Sequence, residues 1–231
     1  LREISPNEKH VSRKGAKKYR EAQSLVKDFA NQAEARAVNL MTAEEVIAKF
    51  KSAGALLEGH FILSSGLHSP AYLQCALALE STTVAGEFGA ALAQRFTGQQ
   101  IDTVASPAIG GIVIGYEVAR QLGVRFIWTE REDGRMTLRR GFKVREGERV
   151  LVVEDVITTG GSTRETIEAL ETAGADVVGA ASIIDRSGGR ADVGVPRVSL
   201  AALDVPAVAP AECAACQRGD QAIKPGSRKT T

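Results

Sequence analysis

Two adjacent carboxylates, Glu154 and Asp155, stand at the end of an unbroken apolar run, Val150-Leu151-Val152-Val153. They lead into Val156-Ile157-Thr158-Thr159-Gly160-Gly161-Ser162-Thr163. An ionised carboxylate only accepts hydrogen bonds, so a neighbouring pair suits the adjacent hydroxyls of a sugar. From Thr158 to Thr163 no side chain is bulky, and backbone N–H groups can wrap around a phosphate. A helix starting there adds its positive dipole end, and the Thr and Ser hydroxyls add donors. The chemistry implied is a diol binder beside a phosphate cradle. Other phosphate motifs fit poorly. A Walker loop needs Lys where Ser162 follows Gly161, and no G-x-G-x-x-G follows the first strand.

Such a site needs a strand to deliver the acids and a helix to receive the loop. The pattern from residue 41 onward supplies both. Helices are expected over 43–53, ending at Gly54, over 84–96, stopped by Gly98, over 111–122, ended by Gly123, and over 162–173, closed by Gly174. Strands are expected at Ile101–Ala105, Val124–Thr129, Arg149–Val153, Val177–Ile184 and Val198–Leu203. Short β-rich runs alternating with helices imply an α/β fold, a parallel sheet covered on both faces. In an open sheet of this kind ligands bind beyond the carboxyl ends of the strands, where Glu154 and Asp155 would lie. Thr42 followed by Glu45 predicts a capping box at the first helix.

The segment from Val150 to Thr163 resembles the phosphoribosyl-pyrophosphate (PRPP) signature of type I phosphoribosyltransferases. That resemblance implies that Glu154 and Asp155 hold the ribose hydroxyls and that Val156, Ile157, Thr158, Thr159, Gly160, Gly161, Ser162 and Thr163 line the phosphate site. Four further stretches, within roughly 41–205, are similar to orotate phosphoribosyltransferases. Phe61–Leu73 resembles their N-terminal substrate segment, with Tyr72 and Leu73 matching the pair that flanks orotate; Ser64 stands where relatives often have lysine. Ser106–Ile112 resembles the pyrophosphate loop, with Ala108, Ile109, Gly110 and Gly111 at its centre and Gly110 in a position where many relatives carry lysine. Glu130–Gly141 resembles the mobile catalytic loop, with Arg131 and Arg135 its best candidates to meet pyrophosphate, ahead of Arg139 and Arg140. Arg186, after Ile183-Ile184-Asp185, matches the arginine that holds the orotate carboxylate, and Thr158 joins it in the orotate site.

The resemblance implies a type I phosphoribosyltransferase fold with a small N-terminal hood near 55–80. It also implies formation of orotidine 5'-monophosphate from orotate and PRPP in pyrimidine synthesis. Asp155, Arg131 and Arg135 become the catalytic candidates. Mg²⁺ is expected, bound mainly through PRPP and pyrophosphate, as is a homodimer whose catalytic loop is shared between subunits. Two other readings stand beside this one. One is a phosphoribosyltransferase for another base. The other is a PRPP-sensing regulator on the same fold that binds nucleic acid.

The rest of the sequence sets bounds. The 231 residues are 44% hydrophobic and 25% charged, which suits one substantial soluble domain. Three cysteines are too few for a disulfide scaffold, so a cytoplasmic setting is expected. No apolar run approaches a membrane span, and a net charge of +1 gives no reason to expect nucleic acid. Residues 1–40 hold nine Lys/Arg against five Asp/Glu and read as a basic extension, an upstream region read in frame or a basic arm. From about Pro206 an irregular tail is expected. Within it Cys213 and Cys216 form a C-x-x-C, but two ligands do not close a zinc site and no second pair is visible, so no protein-held metal is expected. His60 and His68 read as local hydrogen-bonding residues.

Overall fold

The computed structural model describes residues 40–63 and 66–225. The chain divides into two units, Leu1–Leu40 and Met41–Thr231. The basic extension before Leu40 and the position of Ser64 lie outside the described residues.

Within Met41–Thr231 the first helix, α1 (Ala43–Ser52), begins with the reciprocal cap that the sequence suggests. The Glu45 N–H donates to Thr42 Oγ1 at 3.2 Å and the Thr42 N–H donates to Glu45 Oε2 at 2.8 Å. An antiparallel hairpin follows, β1 (Leu56–Ile62) and β2 (His68–Leu73), with an irregularity between Glu58 and Phe61. It forms the hood. A short helix, α2 (Cys75–Leu79), and the longer α3 (Thr82–Gln94), capped by Ser81, lead into the sheet.

The sheet contains β3 (Thr103–Pro107), β4 (Arg125–Glu132), β5 (Arg135–Leu138), β6 (Arg149–Ile157), β7 (Asp176–Asp185) and β8 (Arg197–Ala202) in the order β5-β4-β3-β6-β7-β8. All pairings are parallel except β4 with β5. Between the strands run α4 (Gly111–Leu122) and α5 (Gly161–Thr172). β6 alternates between two cores, as a strand buried on both faces must. Leu151 and Val153 join Phe50, Phe88, Leu92 and Ile114 of the helices on one side. Val150 and Val152 join Ile167 and Leu170 of α5 on the other.

Two differences from the sequence reading matter. The strand that carries the acids extends four residues past Val153, so Glu154 and Asp155 lie within it rather than beyond it. The stretch expected as a mobile loop is instead largely a hairpin, β4–β5, closed by Asp133 and Gly134 at φ 48° and 84°. Positive φ at both central residues is what a two-residue hairpin turn requires, and Asp-Gly meets that demand.

The chain leaves β3 toward β4 on one side and leaves β6 toward β7 on the other. The carboxyl ends of β3 and β6 therefore flank the point where strand order reverses. An open α/β sheet places its ligand crevice there.

Candidate active site

The loops after β3 and β6 meet at that crevice. A Cβ at Gly110 would lie 2.9 Å from Asp155 Oδ1. One at Gly111 would lie 2.8 Å from the Val153 carbonyl oxygen and 3.2 Å from Glu154 Oε1. At both positions an added side chain would press on the acids or their strand. Ile109, next to it, is 85% exposed, and the Ala108–Ile109 peptide is cis.

The acids themselves are desolvated. Glu154 is buried and Asp155 half-buried. Burial and the neighbouring Asp155 charge push the Glu154 carboxyl well above the usual range. Burial also raises Asp155, opposed by hydrogen bonds from the Val156 N–H (2.8 Å), from Glu154 and from the Cys75 thiol. Two like charges this close resist joint ionisation. Burial and Asp155 together raise the Cys75 thiol well above its ordinary value, keeping it a donor.

The phosphate cradle follows. Gly160 has φ 78° and starts α5, and a Cβ there would strike Val193. Thr158, Thr159 and Ser162 are exposed, and Thr159 Oγ1 accepts from the Gly161 N–H at 3.4 Å. Not every residue expected here contributes a side chain. Ile157 and Thr163 are buried in the core, and Val156 packs against it. The Ile157 carbonyl accepts the Arg186 N–H at 2.8 Å.

Arg186 lies at the far end of the same crevice. Its Nε is buried with no hydrogen-bond partner among the described residues, and burial lowers its pKa while Cys75 and Tyr72 raise it. An orphaned guanidinium nitrogen costs about 1–3 kcal/mol or more unless a ligand satisfies it. The turn that aims it is latched by Asp185, which accepts from the Ser187 N–H (2.7 Å), Ser187 Oγ (2.6 Å), the Gly189 N–H (3.2 Å) and Arg197 (2.8 Å). Burial pushes Asp185 up, but these donors outweigh it and its pKa falls below the ordinary range. Tyr72 is half-buried, its hydroxyl donates to Gln74 Oε1 at 3.0 Å and its ring lies 5.9 Å from that of Phe61. Leu73 is buried.

A phosphoribosyl transferase domain model matches residues 83–201. The chain is 53% identical over 189 residues to the orotate phosphoribosyltransferase of Caldicellulosiruptor bescii, covering 82% of this chain and all of that one. The orotate phosphoribosyltransferase of Pelotomaculum thermopropionicum is 52% identical over the same shares. The chain belongs to the orotate phosphoribosyltransferase family. Among solved structures, the crystal structure of orotate phosphoribosyltransferase from Aeropyrum pernix superimposes with a TM-score of 0.54 at 30% identity, covering 67% of this chain and 91% of that one.

In this member of the orotate phosphoribosyltransferase family the sequence-predicted residues fall in two groups. Glu154, Asp155, Gly110, Gly111, Arg186 and Tyr72 are gathered around the crevice through Cys75, which the sequence reading missed. Nothing in the sequence marks Cys75 except that it lies two residues after Leu73. The loop arginines are tied elsewhere. Arg131 pairs with Glu165 of α5 at 2.9 Å, Arg139 with Glu132 at 3.2 Å, and Arg140 with Glu130. Arg135 is exposed and makes no ion pair among the described residues.

Proposed function

We propose that this chain transfers the phosphoribosyl group of PRPP to N1 of orotate, giving orotidine 5'-monophosphate and pyrophosphate. The observation that carries the reading is the contact of the bare Gly110–Gly111 turn with the Glu154–Asp155 pair. It sets a pyrophosphate loop against a ribose site at the carboxyl ends of β3 and β6.

In this reading the ribose hydroxyls donate to Glu154 and Asp155, and the 5-phosphate accepts from amides and hydroxyls of Thr158–Ser162. Pyrophosphate lies along Ala108–Gly111. The buried Arg186 Nε donates to the orotate carboxylate, which uracil and the purines lack. Tyr72 and Leu73 border the base. The C1–O bond to pyrophosphate breaks ahead of N1–C1 bond formation, so negative charge grows on the leaving group. Arg131 and Arg135 answer that charge if the hairpin closes, which for Arg131 means exchanging Glu165 for phosphate oxygens. Asp155, its pKa raised by burial and its carboxyl against the Gly110 turn, is suited to exchange a proton during transfer.

The two carboxylates beside a bare loop also fit a hard divalent cation carried in by PRPP. Bound Mg²⁺ neutralises part of the pyrophosphate charge. A homodimer is supported by Val113 and Tyr116 of α4, which expose 44% and 56% of their surface beside the pyrophosphate loop. The three free cysteines fit a reducing cytoplasm.

Orotate absorbance followed with PRPP and Mg²⁺ tests the assignment. Orotate is consumed, uracil, adenine and hypoxanthine are not turned over, and Asp155→Asn abolishes most of the rate. Turnover of a purine in place of orotate overturns it.

A further inference from the structure

The hood and the tail meet at a second cluster of side chains, far from the acids in sequence and unused by the transfer reaction. His60 near the end of β1 and His68 at the start of β2 converge with Cys213 and Cys216. Cys213 precedes the four-residue helix α6 (Ala214–Gln217), in which Cys216 lies. One potential ligand atom from each lies within 4.8 Å of all the others. The expectation that the C-x-x-C lacks a second pair therefore fails on its premise: the second pair is two histidines some 150 residues upstream, brought in by the fold.

We infer that His60, His68, Cys213 and Cys216 form a structural zinc site that clasps the C-terminal tail to the hood hairpin. In tetrahedral zinc with bonds of about 2.0–2.1 Å to nitrogen and 2.3 Å to sulfur, neighbouring ligand atoms stand roughly 3.3–3.8 Å apart. The nitrogen–sulfur edges here are 3.3 Å (Cys213–His60), 3.7 Å (Cys216–His60) and 3.2 Å (Cys216–His68). The edge between His60 Nε2 and His68 Nδ1, at 2.7 Å, is well short of the tetrahedron, the Cys216–His68 edge is slightly short, and every ligand-atom separation stays within 4.8 Å. The two rings part slightly to admit the ion.

The surroundings suit a metal as well. His60 Nδ1 faces the Asp220 carbonyl at 3.0 Å, so that nitrogen carries the ring proton and Nε2 turns its lone pair into the cluster. Backbone N–H groups of Cys216 and Ala215 face the Cys213 sulfur. A cavity of about 670 Å³, lined in part by His60, His68, Glu212, Cys213 and Asp220, gives the ion a route in. Two thiolates and two imidazoles in a closed set of four select zinc over the hard cations that take oxygen ligands.

The need for such a clasp follows from the elements it joins. Among its described residues the tail has a three-residue 3-10 turn (Pro210–Glu212) and α6, neither stable alone. The hood is a two-stranded hairpin, marginal by itself. Four backbone hydrogen bonds tie the two together: Ile62 N–H to Ile223, Ile223 N–H to His60, His68 N–H to Val208 and Val208 N–H to His68. The ligands stand between these two bridges, and β2 runs on from His68 to Tyr72 and Leu73 at the base site.

The test is metal analysis of the full chain purified without chelator. About one zinc per chain is expected for a closed four-ligand site. Cys213→Ser combined with Cys216→Ser should remove it. Should that variant fail to fold, wild-type protein reloaded with Co²⁺ gives the answer: intense visible bands of a tetrahedral cobalt–thiolate centre are expected. A zinc-selective chelator should lower the melting temperature by about 5 °C or more, with recovery on adding Zn²⁺ but not Mg²⁺. Wild-type protein without zinc and without a cobalt–thiolate spectrum overturns the proposal. So does a Cys213–Cys216 disulfide, seen as a loss of two hydrogens by mass spectrometry, which would make the pair a redox couple.

Discussion

At the scale of single residues, the account turns on groups held in states they would not choose in water. Arg186 Nε is buried without a partner among the described residues, so a ligand acceptor is worth more to it than a surface pair would be. Arg186→Met should lower kcat/KM for orotate by about 10–100-fold, the equivalent of one or two charge-assisted hydrogen bonds, and leave PRPP binding little changed. Steady-state kinetics with each substrate varied in turn checks this.

The Glu154–Asp155 pair leads to a pH prediction. Both carboxyls are raised, and ionisation frees all their oxygens to accept from the ribose hydroxyls. PRPP binding should therefore release a proton and strengthen as pH rises through the raised range. Titration calorimetry in buffers of different ionisation enthalpy reads that proton directly. The sequence shows these two acids plainly, because a strand, two carboxylates and a small-residue loop coincide. It does not show their protonation or Cys75, since burial and proximity come from α2 packing beside the sheet.

At the scale of elements, two glycines on one loop and helix separate function from stability. A Cβ at Gly110 meets only the Asp155 carboxylate, at 2.9 Å. Gly110→Ala should cut PRPP affinity about tenfold or more while moving stability by less than about 1 kcal/mol. A Cβ at Gly115, in the middle of α4, would overlap Ser106 Oγ and lie 2.7 Å from Phe126. Gly115→Ala should cost about 1–3 kcal/mol of stability instead. Urea unfolding and PRPP binding on both variants decide the matter.

The latch at the end of β7 gives a linked expectation. Asp185 has a depressed pKa, so its contribution is fully present above the unfolded-state value and is lost as pH falls through the folded one. The stability deficit of Asp185→Asn should hold steady at neutral pH and shrink below about pH 4. At this scale most helices and strands are legible from the 3.6 and 2 periodicities and their glycine stops. The β4–β5 hairpin is hard to read from Glu130–Gly141 because charged residues dominate it and its apolar alternation is confined to Met136 and Leu138. Asp133-Gly134 is the sign of the turn.

At the scale of the molecule, the sheet order brings two loops 45 residues apart in sequence to one crevice, as Gly110 and Asp155 show. The parallel fold is legible because β3 and β6, the two strands that flank the crevice, are each followed by a helix of the right length. The joining of hood and tail was not, because His60, His68, Cys213 and Cys216 carry no local pattern linking the pairs. Likewise, the exposed Val113 and Tyr116 of α4 should be covered by a second copy of the chain, and Tyr116→Glu should shift the protein toward a monomer in sedimentation velocity.

The most direct measurement is a crystal structure with orotidine 5'-monophosphate bound. The account places its phosphate on the amides of Thr158–Ser162, its ribose hydroxyls on Glu154 and Asp155, and its carboxylate within hydrogen-bonding distance of Arg186 Nε. A phosphate seated away from that turn, or a base carboxylate that leaves Arg186 unpartnered, contradicts it.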